Sequence, residues 1–463
     1  MNTRSPYPQN SISATLAKWS TSLQAVDLPE DIRTLVANAF LDSTGLMFSC
    51  RREGYIGALI ESWNSPGPCT IVGHAHAVDM TSAAMINGTA VHGEDYDDTF
   101  TPGQVHPTSP VMPAVLAVCE ATGRSGADAL LGCAVGMELT CRLAVVSPTA
   151  AHRAGFHPTA IIGAMGAAAG VCSALRMSAD QYVNALGIAG SFASGIIEYL
   201  SDGSSTKRMH PGWAGQSGIR AALMARSGFT GPRTVFEGKH GFFHAFGDPD
   251  VSVDLDAITN QLGSSWLLRE DTFKAYACGA ITQPYIDCAV ELRKRGVLAK
   301  DIQSIDCEVG EGTVHRLWEP IAEKRSPSTP YSAKFSIPYC VAVGFLFGDA
   351  GLAQFTDETV RDPDILSLAQ RVSYTVDQNS EYPKNYTGHL RAVIQDGTVI
   401  EIRQDHMRGG KRHPLLPDEL EQKFARNVLF GGVPSDRISE IKHVCRTIFD
   451  ADDLSSLGKF RIP

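Results

Sequence analysis

The stretch Thr159-Ala-Ile-Ile-Gly-Ala-Met-Gly-Ala-Ala-Ala-Gly-Val-Cys-Ser-Ala-Leu175 carries no charge and consists mostly of alanine and glycine. It is short for a membrane span, which needs about 20 apolar residues. Small side chains let neighbouring helices approach closely. The stretch therefore predicts a helix that is buried inside the protein and packed on other helices.

The sequence on both sides of this helix, from about residue 12 to 228, has apolar residues at helical spacing. The pattern Ser178-Ala-Asp-Gln181 predicts a capping box, and Ser125-Gly-Ala-Asp128 opens a helical run that extends to Val146. The first half of the chain therefore predicts a compact all-α domain.

The pattern changes after about residue 268, where short β-like runs appear at residues 304–309, 373–377, 390–395 and 398–402. The last two runs flank Asp396-Gly397, which predicts a hairpin with a two-residue turn. Helical periodicity returns from Pro417 onward. The expected fold is mainly α, with a large all-α domain from both chain ends (1–268 and 405–463) and a smaller inserted α+β lid domain (269–404).

The composition excludes several classes of protein. There are 40 Lys and Arg against 50 Asp and Glu, a net charge of -10, and no long basic run, which argues against a nucleic-acid partner. The 11 cysteines are scattered without a Cys-x-x-Cys pair, which favours buried free thiols in a reducing compartment. No apolar leader or membrane span is apparent, so the expected location is cytoplasmic.

Polar residues crowd into His92-Gly-Glu-Asp95-Tyr-Asp97-Asp98-Thr99 and continue to His106. One interpretation is a set of helix caps and loop braces, and another is a Mg²⁺ site built from carboxylates. The helical half has no second acidic motif of comparable density, and the other polar clusters carry His and Lys. We therefore favour one wall of a metal-free pocket for an anion.

Further clusters supply the cations for such a pocket. His157, in Gly155-Phe-His-Pro-Thr159, precedes the buried helix, whose first amides favour an anion. Lys207 and Arg208 end a Gly/Ser-rich loop before another helix, and Lys274 and Tyr276 lie where the helical pattern gives way to the β pattern. Each of these clusters also has an ordinary structural interpretation, which for Lys274 is an exposed lysine at a hinge. The sequence from Lys239 to His244 favours a turn whose aromatic residues pack on the core.

These motifs, in this order, resemble the MmgE/PrpD family, which includes 2-methylcitrate dehydratase, cis-aconitate decarboxylase and iminodisuccinate epimerase. The resemblance covers about residues 12–450 and includes Ile86-Asn-Gly88 and Gly203-Ser-Ser-Thr-Lys-Arg-Met-His-Pro-Gly-Trp213. It implies a homodimer, a lid domain and chemistry on small polycarboxylates without a cofactor or metal. It also implies the pocket residues Asp95, Thr99, His106, His157, Lys207 and Lys274.

The chain departs from the family pattern at two places. Many members have a histidine nine residues after the lid lysine, where this chain has Gln283. The decarboxylase branch has a lid tyrosine before an Arg-Pro stretch, whereas residues 313–320 here contain no tyrosine.

The expected chemistry is removal of a proton α to a carboxylate, with His106 and His157 as the base and acid in either order. Asp95 is expected to orient or tune one of them, Thr99, Arg208 and Tyr276 to bind the substrate, and Lys207 and Lys274 to hold its charge. A hydro-lyase of the 2-methylcitrate dehydratase kind is the first hypothesis. An epimerase follows, then a decarboxylase and a protein that only senses a tricarboxylate. A terpene cyclase using the acidic motif is disfavoured, because an aromatic-lined cavity is not expected.

Overall fold

A computed structural model of the chain describes residues 11–462 and is 57% helical, so the fold is mainly α. Two compact units are present. The first runs to Gly93, includes Asp97–Asp271 and resumes at Leu420, and the second comprises Glu94–Tyr96 and Thr272–Glu419. The sequence pattern predicts domain boundaries between residues 268 and 269 and between residues 404 and 405. The segment Glu94–Tyr96, which belongs to the second unit although it lies inside the first half of the chain, was not predicted.

The first unit is built from helices, with a few short strands between them. The helices are α1 (Ile12–Ser22), α2 (Glu30–Ser49), α3 (Gly54–Ser62), α4 (Met80–His92), α5 (Thr108–Thr122), α6 (Gly126–Ala144), α7 (Ala150–Arg153), α8 (Pro158–Ala174), α9 (Ala179–Phe192), α10 (Tyr199–Asp202), α11 (Thr206–Arg226) and α12 (Phe242–Ala245). Its strands are β1 (Pro66–Thr70), β2 (Ala77–Val78) and β3 (Thr99–Phe100), of which β1 and β2 pair antiparallel. The boundary between the units falls within the two-residue strand β4 (Asp271–Thr272). The sequence pattern did not indicate these short strands.

Helix α8 confirms the opening prediction, because its residues from Thr159 to Ala174 are all buried. Its glycines allow close approach to α6. A methyl group at Gly166 would lie 1.9 Å from Oγ1 of Thr140 and 2.8 Å from the carbonyl oxygen of Gly136. The predicted helix starts are also confirmed, since Ser178 closes a capping box with Gln181 and the Ser125 hydroxyl accepts from the amide of Asp128.

Helices α4 and α11 cross equally closely. A methyl group at Gly212 of α11 would lie 2.1 Å from the carbonyl oxygen of Met85, and one at Gly88 of α4 would lie 2.8 Å from Cα of Gly212. Because glycine has no Cβ, the two backbones pack directly on each other. This crossing brings the C-terminal end of α4 beside the first turns of α11, where polar side chains meet.

The second unit combines a mixed sheet with helices. Its helices are α13 (Gln283–Lys294), α14 (Glu311–Leu317), α15 (Ile321–Arg325), α16 (Pro330–Ala333), α17 (Ile337–Phe347) and α18 (Pro363–Ala369). Its strands β5 (Ile302–Val309), β6 (Val372–Val376), β7 (Gly388–Ile394) and β8 (Val399–Gln404) form a sheet in the order β6-β5-β7-β8. Strands β5 and β6 are parallel, and the other two pairs are antiparallel.

The predicted hairpin is present between β7 and β8, but its turn differs from the prediction. The amide of Ile394 donates to the carbonyl oxygen of Thr398 at 3.0 Å, which leaves a loop of residues 395–397 instead of a two-residue turn. Only Gly397 of that loop has a positive φ, of 86°. A three-residue loop with glycine in the left-handed conformation follows the twist of the strands equally well, so the motif Asp396-Gly397 did not distinguish the two.

The chain then returns to the first unit through α19 (Pro417–Phe430) and α20 (Ile438–Thr447). Lys423 of α19 reaches Asp42 of α2, with Nζ at 2.8 and 2.9 Å from the two carboxylate oxygens. Both side chains are 3% exposed. Burial raises the pKa of Asp42 to about 6, although the ammonium of Lys423 opposes the rise.

All 11 cysteines are buried free thiols, as predicted. Over residues 11–462, no single helix has both the length and the apolar character to cross a membrane. One pair, Ile337–Phe347 with Leu352–Arg361, passes that test only when taken together, and it bends by 116°.

Candidate active site

Four buried histidines converge inside the first unit. His92 is the last residue of α4, His106 lies between β3 and α5, His157 immediately precedes α8, and His210 lies near the start of α11. The ring centroids are 4.7 Å apart for His92 and His106, 5.7 Å for His92 and His157, and 5.2 Å for His157 and His210. We call these four residues the histidine cluster.

Asp97 connects two members of the cluster. Its Oδ2 atom lies 2.9 Å from Nδ1 of His92, and its Oδ1 atom lies 3.3 Å from Nδ1 of His106. Burial alone would raise the pKa of Asp97, but the two imidazoles hold it well below its usual range. Asp97 is therefore an ionised carboxylate.

Acceptors surround one nitrogen of His106. Its Nδ1 atom lies 2.6 Å from the carbonyl oxygen of Asp98 and 3.4 Å from Oγ1 of Thr99, in addition to its contact with Asp97. A carbonyl oxygen and a carboxylate accept and cannot donate, so Nδ1 carries the proton. The other nitrogen, Nε2, then presents a lone pair, which is the form that a general base needs.

Backbone amides fix the loop that carries His106. The amide of His106 donates to Oγ1 of Thr159 at 3.2 Å, and the amide of Thr108 donates to Oδ2 of Asp98 at 3.2 Å. Thr159 is only two residues after His157. The two histidines predicted as the base and acid are therefore held by one short segment of α8.

His157 contacts another histidine of the cluster directly. Its Nδ1 atom lies 3.1 Å from Nδ1 of His210. Burial lowers the pKa of His92 and of His210 to about 4 and that of His157 well below its usual range. The positive charge of Lys207 lowers all three further. These three imidazoles are therefore neutral at neutral pH.

The two cations predicted at the start of α11 differ in their contacts. Lys207 is half-buried and acts electrostatically on three histidines of the cluster, as described above. Arg208 donates from Nε to the carbonyl oxygen of Gly93 at 3.0 Å, and its guanidinium lies 5.0 Å from the ring centroid of Tyr55. Arg208 thus fixes the end of α4, and its predicted contact with the substrate stays a prediction.

The remaining predicted residues belong to the second unit. Nζ of Lys274 lies 3.0 Å from Oδ1 of Asp95 and donates to the carbonyl oxygen of the same residue at 2.7 Å. Asp95 has a φ of 54°, a left-handed conformation that aspartate tolerates better than most residues. The hydroxyl of Tyr276 donates to Asp287 at 2.7 Å, and Arg408 lies over its ring. The roles predicted for these three residues in substrate binding and catalysis stay predictions.

A second buried lysine also holds the segment Glu94–Tyr96. Lys334 is 0% exposed, and its Nζ atom donates to the carbonyl oxygen of Glu94 at 2.8 Å and pairs with the Glu94 carboxylate at 2.5 Å. The hydroxyl of Tyr96 donates to the carbonyl oxygen of Ala275 at 2.9 Å. The second unit therefore binds this segment through two ammonium groups and one phenol.

Gln283, which stands where many members of the resembled family have a histidine, is fully buried. Its side-chain amide accepts from the amide of Tyr276 at 3.0 Å and donates to the carbonyl oxygens of Tyr276 and Cys278 at 2.8 and 3.2 Å. All of these partners are backbone groups. Gln283 therefore closes the loop that follows Lys274.

Comparison with known proteins follows the same two-part division of the chain. The N-terminal domain of MmgE/PrpD matches residues 14–253, and the C-terminal domain matches residues 276–447. The chain belongs to the MmgE/PrpD family. The resemblance drawn from the sequence motifs is thereby confirmed.

Several relatives within the MmgE/PrpD family have named activities. A cis-aconitate decarboxylase-like protein of Aspergillus oryzae is 26% identical over 97% of this chain and 97% of its own length. Human cis-aconitate decarboxylase is 29% identical over 81% of this chain and 78% of its own. The mitochondrial 2-methylcitrate dehydratase of Yarrowia lipolytica is 24% identical over 87% of this chain and 81% of its own length. Both named activities are lyase reactions, which supports an enzyme of that general class.

Sequence reasoning missed part of this MmgE/PrpD site. His92 and His210 stand inside the quoted motifs but received no role, and Asp97 was expected only to cap or brace a loop. The signal was present for His92, because it ends a helix of small residues and precedes an acid at a distance of five residues. No sequence spacing links His210 to His157, since only the packing of α11 on α8 brings them together.

His92, Asp97 and His106 also form a set of donors that a divalent metal could use, since imidazole and carboxylate are common ligands of zinc. In the described structure their Nδ1 and carboxylate atoms already contact one another. The expected absence of a metal from this MmgE/PrpD site stays a prediction.

Proposed function

We propose that this chain is a cofactor-independent lyase that acts on a small polycarboxylate by proton transfer at a carbon α to a carboxylate. The observation that carries the proposal is the orientation of His106, whose Nδ1 atom faces the carbonyl oxygen of Asp98 and the carboxylate of Asp97. This orientation leaves the lone pair of Nε2 available to accept a proton.

The base in the proposed reaction is His106. An imidazole whose Nδ1–H is held by a carboxylate becomes a stronger base at Nε2, because the carboxylate stabilises the imidazolium that forms. Asp97 supplies that carboxylate from within the same loop. Positioned groups of this kind contribute roughly 10²- to 10⁴-fold to a rate.

Charge stabilisation is assigned to Lys207 and to the three neutral imidazoles around it. Removal of a proton α to a carboxylate leaves a dianion, which needs cations in a site with little water. A bound polyanion favours protonation of His92 and of the pair formed by His157 and His210, because its charge offsets the desolvation that keeps these imidazoles neutral. The site thus gains positive charge as the substrate brings negative charge.

The acid in the proposed reaction is His157. Once protonated, it gives a proton to a leaving hydroxyl in a dehydration, so that the C–H and C–O bonds break and the C=C bond and water form. In a decarboxylation the C–C bond to the carboxylate breaks, CO₂ leaves, and the electron pair shifts through the double bond to a carbon that takes the proton. Both reactions use the same acid.

Two reactions are supported by separate observations. Decarboxylation is supported by the identities of 24–29% to proteins named cis-aconitate decarboxylase. Dehydration is supported by the acid and base of the histidine cluster, by relatives named 2-methylcitrate dehydratase at 22–24% identity, and by the lack of a tyrosine at residues 313–320.

Product analysis tests the proposal. The protein is incubated in D₂O with cis-aconitate, 2-methylcitrate, citrate and iminodisuccinate, and products and deuteration are followed by NMR. Release of CO₂ indicates the decarboxylase, alkene formation from a hydroxy acid indicates the dehydratase, and exchange without net product indicates an epimerase. Neither product nor exchange with any of them would overturn proton transfer on these substrates.

Two variants connect the turnover to the site. His106→Gln removes the base, and we expect kcat to fall at least 100-fold. His240→Gln is the matched control, because His240 is an exposed histidine in the turn before α12. If the wild type binds a tricarboxylate but converts none, and both variants bind it as tightly as the wild type, the protein is instead a sensor.

A further inference from the structure

The Nδ1 atoms of His157 and His210 face each other at 3.1 Å. His157 is 6% exposed and His210 is 4% exposed, so water does not replace this contact. Both residues have a defined backbone setting. The amide of His157 donates to the carbonyl oxygen of Gly195 at 2.9 Å, and His210 lies in helix α11.

A contact at this distance between two ring nitrogens requires one proton. A neutral imidazole has one N–H and one lone pair, so one Nδ1 atom donates while the other accepts. The two rings therefore adopt opposite tautomers. If His157 donates from Nδ1, its Nε2 has a lone pair and His210 holds its proton on Nε2, and if His210 donates, the positions are reversed.

We propose that His210 is a positioning residue that sets the tautomer of His157 and exchanges a proton with it during turnover. This inference rests on the proposed function, because the proton comes from or goes to the substrate through His157. His210 itself acts only through the facing Nδ1 atom.

When His157 donates from Nδ1, its Nε2 takes a proton from a solvent hydronium ion as the polyanion binds, and its Nδ1 proton passes to Nδ1 of His210. The bonds formed are Nε2–H on His157 and Nδ1–H on His210, and the bonds broken are the O–H bond of the hydronium ion and Nδ1–H on His157. The positive charge then resides on His210, and the reverse step returns the proton to the reacting group.

Four groups around the pair set how readily it takes a proton. His92 of α4 and Lys207 of α11 oppose a positive charge on either ring, and His106 opposes it on His157. The ring of Tyr199 of α10 lies 6.1 Å from His157 and 5.8 Å from His210 and completes the enclosure. Because these neighbours oppose a positive charge, the pair stays neutral until an anion binds.

The tautomers are tested directly by ¹⁵N NMR of protein labelled at histidine, without any substrate. His157→Asn and His210→Asn identify the two rings. We expect one of the two Nδ1 atoms to carry a proton and the other to be unprotonated at neutral pH. Detection of the same tautomer on both rings would overturn the inference, whether or not the protein converts any polycarboxylate.

Turnover variants test the exchange of a proton. His210→Phe keeps a ring of similar size but has no nitrogen, and we expect kcat to fall roughly 10- to 100-fold with little change in KM, as for other partners that orient a histidine. His210→Asn can hold His157 by a hydrogen bond but cannot take a proton. We expect it to restore part of the lost kcat.

A structural role is separated from the proposed one by the pH profile. His210→Phe removes the acceptor for the Nδ1 proton of His157, so the limb of kcat that follows His157 should move to lower pH. Equal thermal midpoints for wild type and His210→Asn show that the fold is kept. A folded His210→Phe protein with an unchanged kcat and an unmoved limb would contradict the proposal. If the wild type converts no substrate, the NMR measurement alone decides.

Discussion

Nδ1 of His106 lies 3.3 Å from Oδ1 of Asp97, and the second oxygen of the same carboxylate faces His92 at 2.9 Å. A single buried charge therefore orients two imidazoles that come from different elements of the first unit. The sequence motif suggested an acidic cluster, but only Asp97 among its acids has this geometry.

The variant Asp97→Asn keeps the shape of the carboxylate and removes its charge. An amide can donate as well as accept, so it no longer specifies a proton on Nδ1 of His106. We expect kcat to fall roughly 10²- to 10⁴-fold while the protein remains folded. Asp98→Asn is the comparison, because its side chain accepts from the amide of Thr108 and an amide oxygen does the same. Equal losses for the two variants would argue against a specific role for Asp97.

Binding of a tricarboxylate should be accompanied by uptake of protons. Burial lowers the pKa values of His92 and His210 to about 4 and holds that of His157 well below its usual range, so these three imidazoles are neutral at neutral pH, and a bound anion raises their pKa values again. Isothermal titration of tricarballylate, a saturated tricarboxylate, in buffers with different ionisation enthalpies measures the uptake. We expect about one proton or more per ligand near pH 7 and weaker binding as the pH rises. Binding with no proton uptake would show that the cluster does not face the ligand.

Lys334 is expected to stabilise the second unit through its contact with Glu94. Lys334→Met keeps an unbranched side chain that is one atom shorter and leaves the carboxylate and carbonyl oxygen of Glu94 without their ammonium partner. Loss of one member of a buried pair costs about 3–5 kcal/mol of the free energy of unfolding. The double variant Lys334→Met with Glu94→Gln should recover part of the loss in urea denaturation. A double variant no more stable than the single one would show that the pair is not coupled.

The crossing of α4 and α11 should not tolerate a methyl group. Gly212→Ala places a carbon 2.1 Å from the carbonyl oxygen of Met85, so the helices must separate, at a cost of about 1–3 kcal/mol or more. Gly57→Ala in α3 is the matched control, because no atom lies within 4 Å of its added methyl group. There we expect a gain of about 0.5–1 kcal/mol, since alanine favours a helix. Thermal unfolding of the two variants measures both effects.

Stability should fall as the pH decreases from about 6.5 to 4. In this range His92, His157 and His210 bind a proton in the unfolded chain but not in the native one, so each histidine contributes a slope of about 1.4 kcal/mol per pH unit. Asp42 acts with the opposite sign, because its native pKa of about 6 lies above the ordinary aspartate value of 3.8. Urea midpoints at pH 7.5, 5.5 and 4.5 measure the sum. His210→Phe should reduce the slope by about one proton, and an unchanged slope would show that His210 is protonated in the native state.

The parts of the fold that depend on local pattern were predictable from the sequence. The caps at Ser125 and Ser178 and the buried helix α8 follow from residue spacing, because each is decided by neighbours within one or two helical turns. The turn between β7 and β8 was predicted one residue too short, since Asp396-Gly397 satisfies two hairpin geometries. No local sequence pattern indicates that Glu94–Tyr96 belongs to the second unit.

The candidate site was predictable in its reactive residues but not in their pairing. His106, His157 and Lys207 lie in or beside one buried cluster, and their motifs were recognisable because polar residues interrupt apolar helices. The contacts of Asp97 with His92 and of His157 with His210 depend on how whole helices cross. Such crossings depend on Gly88, Gly166 and Gly212, because a Cβ atom at any of these positions would clash with the facing helix.

The ion pair between Asp42 and Lys423 has a consequence for biosynthesis. Asp42 is synthesised 381 residues before Lys423, yet each is buried against the other. Until α19 has left the ribosome, the nascent helical unit must keep the Asp42 carboxylate hydrated or protonated, because burial without its partner is costly. The first half of the chain therefore cannot reach its final packing during synthesis, and an expression fragment that ends before α19 is expected to require chaperones or to aggregate.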